Sequence, residues 1–243
     1  MSISRRTFVH RSTGLTLLAG LGATAACRPD GKDQGVPQDS ERIAPPLTTP
    51  REPLADPGPM LPPVPAALIT TAGLDGGPDE ISVVWSFVVN GDPPQIGISV
   101  GDEHVVGERV RTHGEFVLNV PVARDIERFD TVDMNSGTVG DKFALSGFTR
   151  GRATAVAAPT VEEAPIHLEC RTLNEIRVPP ARTVFLAEVV ATTVLQNACD
   201  EAGRLTVPNV PFFGMTAGSG EFYTMGTLVG HIGQTVGRDD IRY

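Results

Sequence analysis

From Pro65 to Val194 the chain is written in short runs of apolar and β-branched residues separated by glycine, proline and aspartate, and this rhythm restricts it to a β-rich fold. "AALITTA" (Ala66 to Ala72) and "EISVVWSFVV" (Glu80 to Val89) flank "GLDGGPD", a loop rich in residues that tolerate positive φ, and together they read as a hairpin. "QIGISV" (Gln95 to Val100) follows the Pro93-Pro94 break, a helical segment lies near Val105 to Thr112, and "GEFVLNV" (Gly114 to Val120) resumes the strand pattern. The clearest alternation is "IHLECRTLNEIRV" from Ile166: Ile166, Leu168, Cys170, Ile176 and Val178 share one face, with His167, Glu169, Arg171 and Arg177 on the other. One face is expected to be core and the other wet or interfacial. "TVFLAEVVATTV" (Thr183 to Val194) is apolar on both faces apart from Glu188, which predicts a central or subunit-facing strand. Several short strands with few short helices predict a mainly β fold, an antiparallel barrel that removes sheet edges by closing on itself.

The N-terminus is set apart from this pattern. "SRRTFVHR" (Ser4 to Arg11) leads into an apolar stretch from Ser12 to Ala26, with no acidic residue before Asp30, as in an export signal. The stretch is shorter than the roughly 20 residues that cross a bilayer, and Gly14, Gly20 and Gly22 dilute it. Arg5 and Arg6 before Phe8 resemble the twin-arginine class of signals, which exports proteins already folded. Two processing routes fit "ATAAC": a lipid on Cys27, as in a bacterial lipoprotein, or plain cleavage after Ala25. Residues 28–63 then hold ten of the 21 prolines and no aromatic residue, too little apolar surface to offset chain entropy, and are expected to be a disordered linker. It reads either as an extended tether from a membrane surface or as an unselected spacer. The expected organisation is thus a signal peptide at 1–27, a linker at 28–63 and one domain at 64–243, in an exported protein that is membrane-anchored by lipid or secreted.

Charge and motif content exclude several functions. There are 20 Lys and Arg against 29 Asp and Glu; losing Arg5, Arg6 and Arg11 with the leader leaves 17 against 29, about −12, which lacks the phosphate-neutralising charge of a nucleic-acid binder. His10, His104, His113, His167 and His231 are scattered, without HExxH or a Cys/His ligand spacing, so no metal site is expected. "GLDGGP" and "GMTAGSG" (Gly214 to Gly220) are glycine-rich but lack the strand-to-helix context of a dinucleotide or phosphate loop, and no GxSxG elbow occurs. Cys170 reads as a core residue; pairing with Cys199 is the alternative.

Four tracts then occur in order: Pro93-Pro94, "GEFVLN" (Gly114 to Asn119), "GTVGDKF" (Gly137 to Phe143) and "APIHLEC" (Ala164 to Cys170), followed by "GEFYTMG" (Gly220 to Gly226). In this the chain resembles the flavin reductase-like family of FMN-binding split barrels that includes flavoredoxin, over most of Pro65 to Val194. The resemblance implies an antiparallel split β-barrel and a homodimer. It implies FMN near the subunit interface, with Ser82, Val83, Val84 and Trp85 giving backbone and ring contacts, Ser99 and the following loop facing the phosphate, and Asn119 and Lys142 closing the site. It also implies an oxidoreductase in which the cofactor carries hydride or electrons and the protein orients donor and acceptor. The same barrel could instead serve a non-catalytic ligand-binding lipoprotein or a flavin-independent enzyme.

Two departures from the family pattern bear on the cofactor. Where the family places an arginine and then a serine or threonine after the third strand, this chain has His104 and Val106; where it places Arg and Asp before Asp-Lys-Phe, this chain has Thr138 and Val139. A neutral histidine and a valine do not replace a guanidinium and a hydroxyl, each such charge-assisted bond being worth roughly 1.5–3 kcal/mol. Protonated His104, Lys142, Arg109, Arg111 or loop N–H groups are the available substitutes. An exported protein also meets no steady nicotinamide nucleotide pool, so a membrane or protein electron donor is expected.

Overall fold

The computed structural model describes residues 50–201, 205, 210–226, 228, 232 and 234–237, so the expected leader and Cys27 lie outside the described residues. Chain contacts divide into Met1–Pro53 and Leu54–Tyr243. In the second unit residues 54–63 are exposed, and regular structure begins with β1 (Val64–Pro65). The larger strands are β2 (Leu68–Thr71), β3 (Glu80–Val83), β4 (Trp85–Gly91), β5 (Pro94–Gly101), β6 (Glu115–Val120), β9 (Ile166–Val178) and β10 (Arg182–Val194). Short pairs are made by β7 (Arg150–Gly151) with β8 (Thr160–Val161), and by β1 and β12 (Phe222–Thr224) on either side of β11 (Phe213–Met215). The helices are α1 (Val105–His113), α2 (Ile126–Met134) and α3 (Lys142–Ser146).

Seven strands form one antiparallel sheet in the order β3-β2-β6-β9-β10-β5-β4. Its two edge strands, β3 and β4, are separated in the chain by Val84 alone. A flat sheet of this width would hold its edges roughly 29 Å apart at about 4.8 Å per strand, so the sheet must curl until they meet. The single run expected over Glu80 to Val89 is therefore two strands: β3 pairs with β2, the Val84 N–H bonds the Ala67 carbonyl at 3.2 Å, and β4 pairs with β5. The result is the expected mainly β split barrel.

Ile69, Ile96, Ile98, Phe116, Cys170 and Phe185 fill the barrel, and Val106 and Val110 on α1 plug it. Gly114 ends α1 at φ 68, its N–H on the Val110 carbonyl, and the left-handed turn lets β6 start at the next residue. A second cluster of Leu68, Ile81, Phe129, Val132, Phe143 and Phe213 lies outside the barrel wall, where α2 and α3 pack.

The face assignment for β9 holds only for its first half. Ala187 faces Thr172 while Leu186 faces Asn174, which leaves Leu173 as an extra residue that reverses the alternation. Ile176 and Val178 consequently point outward, 47% and 41% exposed, while Cys170 is fully buried. Glu169, expected on the wet face, has no exposure, because residues 154–161 fold over that face and bond its carboxylate. Cys170 and Cys199 are both free thiols, and burial pushes the Cys170 thiol up to about 12.

Candidate functional site

The seam of the barrel positions the candidate site. Trp85, first residue of β4, lies opposite Ser99 of β5, and Arg182, first residue of β10, lies opposite Gly101. The Arg182 guanidinium sits over the indole, 4.2 Å from the ring centroid, while its Nε donates to Ser99 Oγ and its Nη2 to the Ser99 carbonyl, each at 3.0 Å. Stacking on the indole and two hydrogen bonds hold the fork in one orientation. Arg182 is half-buried, and among the described residues no carboxylate pairs with it.

A recess of about 140 Å³ opens beside this stack. Val64, Val84, Phe129 and Phe222 form its apolar wall, and His104, Asp133 and Arg182 supply its polar groups. Burial, with Asp130 adding to it, holds the Asp133 carboxyl above its ordinary value, although His104 and Lys142 pull the other way. His104 also borders a larger recess of about 650 Å³ with Asp102, Glu103, Glu108, Arg111 and Arg177. The cations there are already neutralised: Arg111 pairs with Glu175 at 2.8 Å and Arg177 with Asp102 at 3.0 Å. The larger recess is acidic in balance and the smaller one holds the unpaired guanidinium.

Of the residues expected from the sequence, Val83, Val84, Trp85 and His104 line the small recess together. Ser99 reaches it through Arg182. Ser82, Asn119 and Lys142 are buried away from it. Lys142 Nζ lies 3.0 Å from Glu80 Oε1 and also donates to Ser82 Oγ and to the Val132 and Asn135 carbonyls. Asn119 donates to the Leu68 and Val117 carbonyls and accepts the Val161 N–H at 2.8 Å, which fastens β8 to the barrel. Arg109 donates to the Pro78 carbonyl at 2.7 Å, so of the four side chains considered as substitutes for the missing arginine only His104 faces the recess. Arg182 and Asp133 were not singled out in the sequence. The one signal for Arg182 is its place just after the "VPP" turn that closes the β9–β10 hairpin, and its partner Gly101 is 81 residues away by register.

The tract "SGTVGDKF" is explained by packing. A Cβ at Gly137 would fall 2.2 Å from Val105 Cγ2 and 2.8 Å from both Glu80 carboxylate oxygens. Asp141 caps α3 by accepting the N–H groups of Phe143 and Ala144, at 3.0 and 3.3 Å. Lys142 neutralises Glu80, and Phe143 enters the outer core.

A seven-stranded antiparallel sheet curled on itself, with a recess at its seam, places the chain among the mainly β split barrels. Residues 62–207 match the family described as flavin reductase like domain, and the chain belongs to that family. It is similar in fold to flavoredoxin of Desulfovibrio vulgaris (Miyazaki F), with a TM-score of 0.69 and 22% identity over 75% of this chain and 97% of that one. An FMN-binding protein from Thermus thermophilus gives a TM-score of 0.59 and 17% identity over 72% of this chain and 93% of that one. An uncharacterized protein from Archaeoglobus fulgidus is 24% identical over 119 residues, 48% of this chain; the chain spans 65% of that relative's length, just under two thirds.

Proposed function

We propose that this protein is an exported, homodimeric oxidoreductase that binds FMN non-covalently at the seam recess. The observation that carries the reading is the coincidence, in a chain of this family, of an apolar wall with a fixed guanidinium, bonded to Ser99 and paired with no described carboxylate, in the recess where β3 passes into β4. The residues suit the group: a fused aromatic ring needs the wall of Val64, Val84, Phe129 and Phe222, and an anionic side arm needs a cation. Bound there, the flavin supplies hydride or single-electron transfer. The chain's own part is to orient it, to shield one face from water, and to set its surroundings with Asp133 and His104.

About 140 Å³ is below the roughly 300 Å³ at which small-molecule pockets begin, so one chain offers one wall. Trp85, Phe87, Leu173, Ile176 and Val178 form an exposed apolar surface on the neighbouring outer strands. A second copy on that surface closes the recess. Export follows from the twin-arginine-like leader, with Cys27 as the lipid-bearing N-terminus of the mature chain and residues 28–63 as its tether; mass spectrometry giving an unmodified Cys27 or an Ala26 start would end the lipid anchor. A membrane or protein electron donor fits that location better than a nicotinamide nucleotide.

The test is the visible spectrum of the purified protein, with release and identification of the chromophore, followed by turnover assays with NADH and NADPH. A yellow protein that releases FMN and turns over slowly with either nucleotide is expected. A colourless protein that takes up no added flavin overturns the cofactor reading, and rapid steady-state NAD(P)H turnover overturns the choice of donor.

A further inference from the structure

Arg182 is the one described arginine at the recess. Arg111, Arg128, Arg150 and Arg177 each pair with a carboxylate, and Arg109 and Arg171 donate to the Pro78 and Ala155 carbonyls. Arg182 instead spends two of its five N–H groups on Ser99 and lays its flat face on Trp85, which leaves N–H groups on Nη1 and Nη2 with no partner among the described residues. A half-buried guanidinium held this way carries a charge that water only partly screens, and it is complete only when an anion meets it. The loop after β5, which begins at Gly101 opposite Arg182, adds His104 to the recess wall.

We infer that Arg182, held by Trp85 and Ser99 and aided by His104, forms the subsite for the phosphate monoester of the flavin. This rests on the proposed flavin site and adds which residue selects the phosphorylated form. Electrostatics separates the two recesses that meet at His104. In the larger one Arg111 and Arg177 are paired, and Glu103 and Glu108 add negative charge that repels a dianion. In the smaller one the carboxylate is Asp133, which stands with Asp130 on α2. Burial, with Asp130 adding to it, holds its carboxyl above the ordinary value. The His104 Nε2 lies 3.5 Å from Glu103 Oε1 and remains on the recess wall.

Trp85 is the only tryptophan in the chain, so its fluorescence reports directly on this stack. The experiment titrates purified full-length protein, stripped of any flavin, with riboflavin, FMN and FAD, following Trp85 and flavin fluorescence, for wild type, Arg182→Gln and Arg182→Lys. Wild type is expected to bind FMN at least tenfold tighter than riboflavin, with that advantage shrinking as salt rises. Arg182→Gln is expected to bring FMN affinity down to the riboflavin value while riboflavin affinity stays within about twofold; Arg182→Lys recovers part of the difference. FAD binding as tight as FMN, with equal loss in Arg182→Gln, would assign the cation to a pyrophosphate and overturn the monoester assignment. An unchanged FMN to riboflavin ratio in Arg182→Gln, or equal loss of both flavins in a variant with an unaltered thermal melt, also overturns it and leaves the flavin site standing. Failure of every flavin to bind the wild type overturns the site itself and the assignment with it.

Discussion

Glu169 sits in mid-strand with no solvent exposure, and its carboxylate accepts the N–H groups of Thr154, Ala155 and Val156 together with the Thr154 hydroxyl. Burial alone would push this carboxyl up, but the converging donors outweigh it and hold it below its ordinary value. With the folded value depressed, the stabilisation is fully present above the unfolded value of roughly 4.3–4.5 and is lost as pH falls through the folded one. Asp141, lowered from 3.8 chiefly by its hydrogen bond from Arg150, acts with the same sign, its contribution present above that aspartate value and lost as pH falls through the depressed one. Urea melts of wild type and Glu169→Gln between pH 7 and pH 3 isolate the one residue: the variant should be about 2 kcal/mol less stable at pH 7, with the gap closing in acid. A gap that persists at pH 3 would point to packing instead of charge. The sequence marks Glu169 only as a polar residue on an alternating strand; the three N–H groups come from a loop that has no pattern to announce it. The reverse happened at Asn119 and Lys142, whose tracts are conspicuous but whose donors serve buried carbonyls and Glu80. Arg182 gave little local sign because its partners Trp85 and Ser99 become neighbours only when β10 and β4 flank β5.

Strand identity was legible because alternation and turn residues are local, whereas two features that depend on partners were not. The run from Glu80 to Val89 has no glycine or proline at Val84 to mark the change of edge; closure of the sheet puts it there. Likewise Leu173 becomes a bulge only against Leu186 and Ala187, and a single extra residue moves Ile176 and Val178 from the expected core face to the outside. The segment before α3 shows the same dependence, since Gly137 is required by Val105 and Glu80, from α1 and β3. Gly137→Ala must push either a valine that begins α1 or a carboxylate already paired with Lys142, and neither neighbour is free to leave. The expected cost is about 2 kcal/mol, read as a lowered urea midpoint with an unchanged slope. Gly97→Ala makes the contrasting case: its Cβ would meet the ring of Phe87, 45% exposed and able to swing away, so stability should change by less than about 1 kcal/mol. Equal losses in the two variants would contradict this account of the segment.

At the scale of the whole molecule, the outer surface of β4, β5, β10 and β9 joins the question of assembly to that of the site. Phe87 covers Gly97, Leu173 stands out at the bulge, and Ile176 and Val178 follow on the reversed face, so the same bulge that spoils the expected core face builds the apolar surface. Trp85 lies at its margin, so a second copy docked on this surface would bring its edge next to the recess. A stable contact of standard size needs about 800 Å² from each copy, and charged residues placed at its centre are penalised by desolvation. Ile176→Glu is therefore expected to turn a dimer into a monomer in light scattering at two concentrations, with an unaltered far-ultraviolet spectrum, because Ile176 touches solvent and not the barrel core. If the second copy closes the recess, the same variant weakens FMN and riboflavin together by at least tenfold and leaves their ratio intact, the opposite signature to Arg182→Gln. A wild-type monomer that binds FMN fully would remove the partner from the site, and a dimer that survives Ile176→Glu would move the interface elsewhere.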